Sequence, residues 1–411
     1  MVRILDLKSF KMKFTEKINL EEFNGKKYKI RIVEAENDEA ILTHYLHNNK
    51  NGVSKFYKKE AINFAKTLIQ YKYPEENITD KVAEEAIQYG LFDSFQVPFP
   101  PLESPKFTFI DLFAGIGGFR LAMQNLGGKC IYSSEWDKEA KKTYKANFGE
   151  TPFGDITKES TKSYIPDNFD VLCAGFPCQA FSIAGKRGGF EDTRGTLFFD
   201  VAEIIKRKKP KAIFLENVKG LVTHDNGKTL DVILNTLEEL DYAVHVKIIN
   251  AKNFGVPQNR ERIFIIGFNK DKVDNYNVFN FPESTQEVFI NNFIENNVEG
   301  YDISEHLQKS YLLKKDDGKP QIIDINSNIQ VKTLVSTYHK IQRLTGTFVK
   351  DGKTGLRLLS ISECKAIMGF PNDFIVPVSR TQAYRQFGNS VAVPAIQATA
   401  NEILKKLNYV K

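Results

Sequence analysis

A single tryptophan and only four cysteines in 411 residues set the first limits. Four thiols in so long a chain make no disulfide framework. None belongs to a CxxC pair with a matching second pair, so structural zinc is not expected and no metal is assigned. Long hydrophobic runs are missing too: stretches such as 263–268 fall far short of the roughly 20 apolar residues that cross a bilayer. The opening MVRILDLKSFKMKF has scattered charges and no apolar core, so no secretory signal is read there. Glycine and proline follow no period, which removes collagen-like and most repeat architectures. The expectation is a soluble, cytoplasmic protein with no membrane partner.

What is present is globular in balance, 42% hydrophobic and 26% charged, with 32 Phe and 16 Tyr to fill a core. At roughly 100–200 residues per domain the length predicts two or three domains. The net charge of +6 suits a protein that visits a polyanion, although many enzymes with other substrates carry the same charge.

The first hundred residues differ from the rest. Alternating apolar and polar residues over 10–18 and 27–33 flank Asn24-Gly25, a hairpin signal. Apolar residues near 3.6 spacing predict helices over 38–47, 58–71 and 80–89. Pro98, Pro100, Pro101 and Pro105 then break helix and strand alike and set a domain boundary near 103. This small α+β module has Lys58, Lys59 and Lys66 to offer DNA, but packing or dimerisation is the favoured role. From 106 onward the pattern is strand, glycine turn, helix, repeated. Strands are predicted over 107–113, 129–133, 171–174, 212–216 and 263–267, with helices from Phe119 and over 197–206 and 229–240. That alternation predicts an α/β fold with an open, mostly parallel sheet. Regularity fades from 269 to 355, where Asn accumulates, and helical patterns return over 360–368 and 384–400. An irregular inserted domain is expected, then a return to the α/β core. The divisions are 1–103, 104–269, 270–372 and 373–411.

Phe113-Ala114-Gly115-Ile116-Gly117-Gly118, after a strand and before a helix, puts small residues where backbone must approach a ligand. About twenty residues on, Glu135 can accept hydrogen bonds from ribose hydroxyls and Trp136 can cover an adenine face. Asp155 offers a carboxylate to an adenine amino group, with Ile156 as an apolar wall. A tight strand–helix turn alone would also explain the glycines. Their GxGG spacing departs from the GxGxxG of dinucleotide sites and suits an adenosine ligand without phosphates, such as S-adenosylmethionine.

Cys130, Cys173 and Cys364 lie within apolar patterns and read as small buried hydrophobes. Cys178 follows a proline just past a strand end, with Gly and Ser nearby, where α/β proteins bind ligands. Glu216 ends another strand at the same edge; it is either a site carboxylate or a partner for Lys219. Arg260 and Arg262, before strand 263–267, are either surface charges or binders of an anion or carbonyl.

These residues fall in ordered blocks: DLFAGIGGFR (111–120), SEWD (134–137), GDIT (154–157), GFPCQAFS (175–182), RGTLFFD (194–200), ENV (216–218) and QNRERIFIIG (258–267). RLLSISECKAIMGFPNDF (357–374) and QAYRQFGNSVAVPAI (382–396) follow. The set resembles the DNA (cytosine-5)-methyltransferases of bacterial restriction–modification systems, over about three quarters of the chain.

The resemblance implies a class I S-adenosylmethionine-dependent methyltransferase fold, Rossmann-like, with an inserted target recognition domain. It implies methyl transfer to C5 of cytosine in a short duplex sequence, and protection of host DNA from a cognate restriction endonuclease. Cytosine C5 needs activation, and a Cys178 thiolate adding to C6 of a flipped-out base would supply it. Glu216 would bind N3 and the exocyclic amine, Arg262 the O2 carbonyl, and Arg260 would help hold the catalytic loop and DNA. Phe113, Gly115, Gly117, Glu135, Trp136, Asp155, Ile156, Pro177 and Leu197 would line the cofactor site, completed by Asn389, Ser390 and Val391.

Gln179, Ser182, Lys186 and Arg187 lie in a glycine-rich stretch that would close on DNA. Thr333 would contact phosphate, and Gln342 and Arg343 are candidates for reading bases. The basic run 331–357 includes Lys332, Lys340, Lys350, Lys353 and Arg357. Cytosine methylation of RNA and a catalytically silent DNA-binding protein are the competing readings. A monomer or weak dimer is expected.

Overall fold

The computed structural model describes residues 18–23, 26–31, 37–48, 52–72, 77–94, 96–177, 197–284 and 287–410. Strands β1 (Ile18–Phe23) and β2 (Lys26–Arg31) pair antiparallel, with Phe23 opposite Lys26 on either side of Asn24-Gly25. The expected strand residues before Ile18 lie outside the described residues. Helices α1 (Asp38–His47), α2 (Ser54–Lys72) and α3 (Asp80–Ser94) follow. They bury Ala40, Ile41, Tyr57, Ala61, Ile69 and Ala83. Two of the three lysines noted in this module are ion-paired within it, Lys58 with Glu84 at 2.7 Å and Lys66 with Asp80 at 2.6 Å.

The α/β core runs β3 (Phe107–Leu112), α4 (Gly118–Asn125), β4 (Gly128–Ser134), α5 (Lys138–Phe148), a short α6 (Glu159–Lys162), β5 (Val171–Ala174) and α7 (Leu197–Lys208). It continues through β6 (Ala212–Val218), α8 (Lys228–Glu239), β7 (Tyr242–Asn250), β8 (Gln258–Asn259) and β9 (Glu261–Asn269). The six-stranded sheet has the order β4-β3-β5-β6-β9-β7. The first four strands are parallel; β9 is antiparallel to β6, and β7 to β9. The sheet is therefore mixed, and β7 is a strand the sequence reading did not contain. As an edge strand β7 leaves Val246 and Ile248 each 38% exposed, so its apolar residues do not mark one buried face.

Alternation along the inner strands sends residues to two cores. Cys173, Phe214, Phe264 and Ile266 join the core that includes Phe119, Phe148 and Ile396. Leu172, Leu215, Ile263 and Ile265 join the other, with Phe198, Ile205, Ile233 and the residues of α1–α3. Period-two alternation buried on both faces gives the near-continuous apolar runs of inner strands. Each fully buried large apolar side chain stabilises the fold by about 1.5–3 kcal/mol. Cys130, Cys173 and Cys364 are buried and free, as expected.

The 270–356 stretch holds α9 (Glu305–Leu307), β10 (Gln321–Ile323), β11 (Val331–Lys332) and β12 (Thr347–Val349). β10 pairs with β12, whereas β11 pairs with β8, immediately before the strand that bears Arg262. The chain then forms α10 (Ile361–Ile367), α11 (Arg380–Asn389) and α12 (Val393–Lys406). α12 packs on α4, returning the C-terminus to the sheet. Arg357, counted in the basic run, is fully buried: both Glu363 oxygens lie 2.8 Å from its guanidinium, with Asp351 on its Nε. Among the described residues no helix is long and apolar enough to cross a membrane, and no cluster of His, Cys, Asp and Glu could hold a metal.

Candidate active site

β3 stops at Leu112, one residue before the expected end, because Phe113 turns to φ 56° and Gly115 and Gly117 follow at 55° and 89°. The carboxyl end of β3 thus opens into a turn in which Gly117 and Gly118 leave no room for larger residues. A Cβ on Gly117 would stand 2.2 Å from a Phe148 ring carbon, and one on Gly118 would stand 2.7 Å from Val391 and 3.1 Å from the Ser390 hydroxyl. The glycine turn and the C-terminal block are therefore in direct contact.

Glu135, just past β4, is 8% exposed. Its Oε2 accepts from Gly115 N at 2.7 Å and its Oε1 from Asp137 N at 2.8 Å. Burial pushes its carboxyl up, and those backbone donors pull it back. Trp136 beside it is 76% exposed. The backbone of Glu135 donates to Phe153 O at 2.9 Å, which brings the 153–156 turn alongside β4. There Asp155 Oδ1 accepts from the amide and hydroxyl of Thr157 at 3.0 and 2.9 Å, while Ile156 is buried.

β6 carries Glu216 to the same edge, and Arg262 on antiparallel β9 puts Nε 3.1 Å from Glu216 Oε1. Burial raises the Glu216 carboxyl, and Arg262 and Arg260 oppose the rise. Lys219 pairs with Glu261 at 2.9 Å and not with Glu216. Asn217 Nδ2 donates to Phe176 O at 2.9 Å and so fixes the backbone leaving β5. A Cβ on Gly175 would lie 3.7 Å from Glu216 Oε2. The chain thus passes Glu216 three residues before position 178. Outside the ion pair is a cavity of about 470 Å³ lined by Lys219, Asn259, Glu261, Arg262, Lys332 and Thr333.

Arg260 faces inward and is 2% exposed. Its guanidinium donates to Leu334 O at 3.0 Å, Gly388 O at 3.1 Å and Ser390 O at 2.6 Å. One side chain therefore ties the β8–β9 junction, the chain at Leu334 and the end of α11 together. A buried carboxylate paired with a guanidinium that lines the adjoining cleft can present an acceptor and donors to the edge of a planar heterocycle.

The sequence model for C-5 cytosine-specific DNA methylases matches residues 107–405. The chain belongs to that family. Type II methyltransferase M.MspI of Moraxella sp is 52% identical over 362 residues, 85% of this chain and 84% of that protein. Type II methyltransferase M.BsuFI of Bacillus subtilis is 59% identical over 302 residues, 74% of this chain and 73% of that protein. In fold, the chain is similar to the Entamoeba histolytica methyltransferase EhMeth, with a TM-score of 0.58 and 23% identity over 73% of this chain and 98% of that one. This methylase transfers a methyl group to C5 of cytosine in DNA, and the donor its family uses is S-adenosylmethionine.

Of the residues singled out from the sequence, Phe113, Gly115, Gly117, Glu135, Asp155 and Ile156 lie around the carboxyl ends of β3 and β4. Ser390 and Val391 reach the glycine turn, Asn389 closes α11, Pro177 is exposed past β5, and Leu197 opens α7 half-buried. Cys178, Gln179, Ser182, Lys186 and Arg187 lie outside the described residues. Thr333 lines the cleft and donates to Asn259 O at 2.7 Å. Gln342 accepts from the hydroxyls of Thr337 and Thr345. Arg343 is turned inward, 9% exposed, with its donors on Asp317, Leu312 O and Lys315 O. Asn217 and Gln258 were missed as builders of the site, though both stand in the quoted motifs. Gln258 Oε1 accepts from Leu334 N at 2.9 Å, an interaction between segments that no local pattern reveals.

Proposed function

We propose that the edge formed by β3, β4, β5 and β6 is the site of this methylation. Cys178 is the nucleophile, Glu216 and Arg262 hold the cytosine, and the Glu135–Asp155 side holds the methyl donor. The observation that carries the reading is the Glu216–Arg262 pair at 3.1 Å beside the backbone that leads to Cys178.

Donor and residues fit. Glu135 is a buried acceptor at a strand end, Gly117 admits no side chain, and an exposed indole stands alongside. When bound, S-adenosylmethionine supplies an electrophilic methyl group on sulfur. Glu135 would take the ribose hydroxyls, Asp155 the adenine amino group and Trp136 an adenine face. Phe113, Ile156, Pro177, Leu197, Asn389, Ser390 and Val391 would line the remainder.

On the base side, the Cys178 thiolate adds to C6 of a flipped-out cytosine, which makes C5 nucleophilic. Glu216, whose carboxyl burial raises, shares its proton with N3 as charge develops in the ring. Arg262 holds O2. Once C5 carries the methyl group, loss of the C5 proton and of the Cys178–C6 bond restores the aromatic ring. Arg260 acts from behind, by holding the carbonyls of Leu334, Gly388 and Ser390.

The inserted 270–372 segment is the target recognition domain, with Thr333 on a phosphate and Gln342 toward the bases. The buried guanidinium of Arg343 favours a role in shaping that domain. The partner is duplex DNA, and the likeness to type II methyltransferases supports pairing with a restriction endonuclease of the same target. The test is labelled-methyl transfer to unmethylated genomic DNA and to bulk tRNA, with bisulfite sequencing of the DNA. Label in DNA at cytosines of one short motif is expected, and its absence from Cys178→Ala. Label confined to tRNA, or full turnover by that variant, would overturn the reading.

A further inference from the structure

The sequence model of the family begins at residue 107, so α1–α3 fall outside it, yet α1 and α2 make specific polar contacts with the cofactor half of the core. β4 is an edge strand of the sheet. Its outward-facing backbone groups run Ile131 O, Ser133 N, Ser133 O and Glu135 N. Phe153 satisfies the last two, at 2.8 and 2.9 Å. The first two are satisfied from the N-terminal helices: Tyr57 OH donates to Ile131 O and His44 Nε2 accepts from Ser133 N, both at 3.1 Å.

The neighbouring 151–154 segment is held by the same helix. Thr43 Oγ1 accepts from Thr151 N at 3.1 Å, and Asn37 Oδ1 accepts from Gly154 N at 2.9 Å. Gly154 directly precedes Asp155, and Ser133 lies two residues before Glu135. The His44 ring packs on Phe153 at 4.6 Å between centroids, closing the gap between the two segments. Side chains thus stand in for another strand at Ile131 O and Ser133 N, and a single backbone bridge from Phe153 to Ser134 follows beside both acidic residues. Their carboxylates stay clear of strand pairing while their backbones are fixed.

We propose that α1 is a positioning element for the methyl donor: Asn37 and His44 set, from outside the catalytic fold, the backbone that presents Asp155 and Glu135. The inference rests on the reading that these two carboxylates hold the donor. Support of this kind around a pre-organised site acts on ligand affinity and leaves distant surfaces unchanged.

The experiment uses the full chain. S-adenosylmethionine affinity is measured by calorimetry, DNA affinity by anisotropy, and methyl transfer at saturating donor, for Asn37→Ala, His44→Ala, Asn37→Asp and His44→Gln. The alanine variants should bind the donor about ten-fold more weakly. They should keep DNA affinity and turnover at saturation, and the acceptor-retaining variants should recover most of the loss. Glu135→Ala is the reference. If it binds the donor as the parent does, the donor site itself is misplaced. If it binds weakly while folded Asn37→Ala and His44→Ala bind normally, the positioning role is overturned. Equal loss of donor binding, DNA binding and turnover would also overturn it, in favour of general destabilisation. Should His44→Ala not fold, Thr43→Val and Asn37→Ala carry the same test.

Discussion

Arg262 and Glu216 meet across two antiparallel strands, Nε to Oε1 at 3.1 Å, at the point where β6 runs out of the sheet. β6 and β9 are the first antiparallel neighbours after a run of parallel ones, so two strand ends of opposite direction deliver opposite charges to one spot.

Glu216→Gln keeps the shape of that pair and removes its proton exchange. Single-turnover methyl transfer should fall by about 10²–10³-fold, the scale of losing one group that stabilises developing charge. DNA affinity should stay within a few-fold of the parent. A variant that turns over normally would remove Glu216 from the chemistry.

Arg260 should behave as a structural group. Arg260→Ala leaves three buried carbonyls without their donor, and an orphaned buried polar group costs about 1–3 kcal/mol. Urea unfolding should show a loss of several kcal/mol. Arg260→Lys should recover only part of it, since one ammonium cannot reproduce the spread of the guanidinium. An unchanged midpoint for the alanine variant would contradict the bracing role.

Gly117→Ala places a methyl 2.2 Å from Phe148 in a backbone at φ 89°. Overpacking and the left-handed conformation together should cost about 2–4 kcal/mol. Donor affinity should fall with it, because the turn cannot keep Gly115 N on Glu135. Tm and calorimetry read the two effects, and a neutral substitution would show that the turn yields.

His44 gives a pH signature. Its Nδ1 donates to Ala40 O at 2.8 Å and its Nε2 accepts from Ser133 N, which keeps the folded ring neutral against the pull of Glu150, whose Oε1 lies 3.3 Å from Nε2. Burial is the main cause that brings its pKa from 6.5 down to about 4. Between those values the unfolded chain binds the extra proton. The contribution to stability is therefore full above pH 6.5 and is lost as pH falls toward 4, a span of about 3 kcal/mol. Burial drives Asp111 from 3.8 up to about 8, which favours the fold increasingly as pH falls through that range. The two slopes oppose each other, so the parent curve alone shows their sum. The difference in unfolding free energy between parent and His44→Gln removes the Asp111 slope, reports His44 together with its neighbour Glu150, and should widen from pH 4 to 6.5. A flat difference would mean that His44 is charged in the fold.

The α/β core was legible because its signals are local. Alternation buried on both faces marked β5 and β6, and the glycines after β3 marked a turn that sterics demand. What was not legible depends on partners distant in sequence. β7 was missed because an edge strand shows a weaker apolar pattern. Arg343 and Arg357 looked like free cations, and only folding brings Asp317 and Glu363 to them. Glu216 had Lys219 as its nearest cation in sequence, but its neighbour in space is Arg262, supplied by a strand 46 residues away. The placement of α1 under β4 likewise arises between segments, about ninety residues apart, that carry no shared motif.

The pairing of β11 with β8 bears on how this enzyme could be re-engineered. Val331 N binds Pro257 O, Leu334 N binds Gln258, Leu334 O receives Arg260, and Thr333 binds Asn259 O. A chimera that exchanges the 270–356 stretch with that of a relative therefore has a third seam besides its two cut points. It runs along 331–334, inside the transplanted piece. Donor segments that match this chain there should graft as active enzymes with a new target, whereas those that differ should misalign Arg262 even when both junctions are seamless.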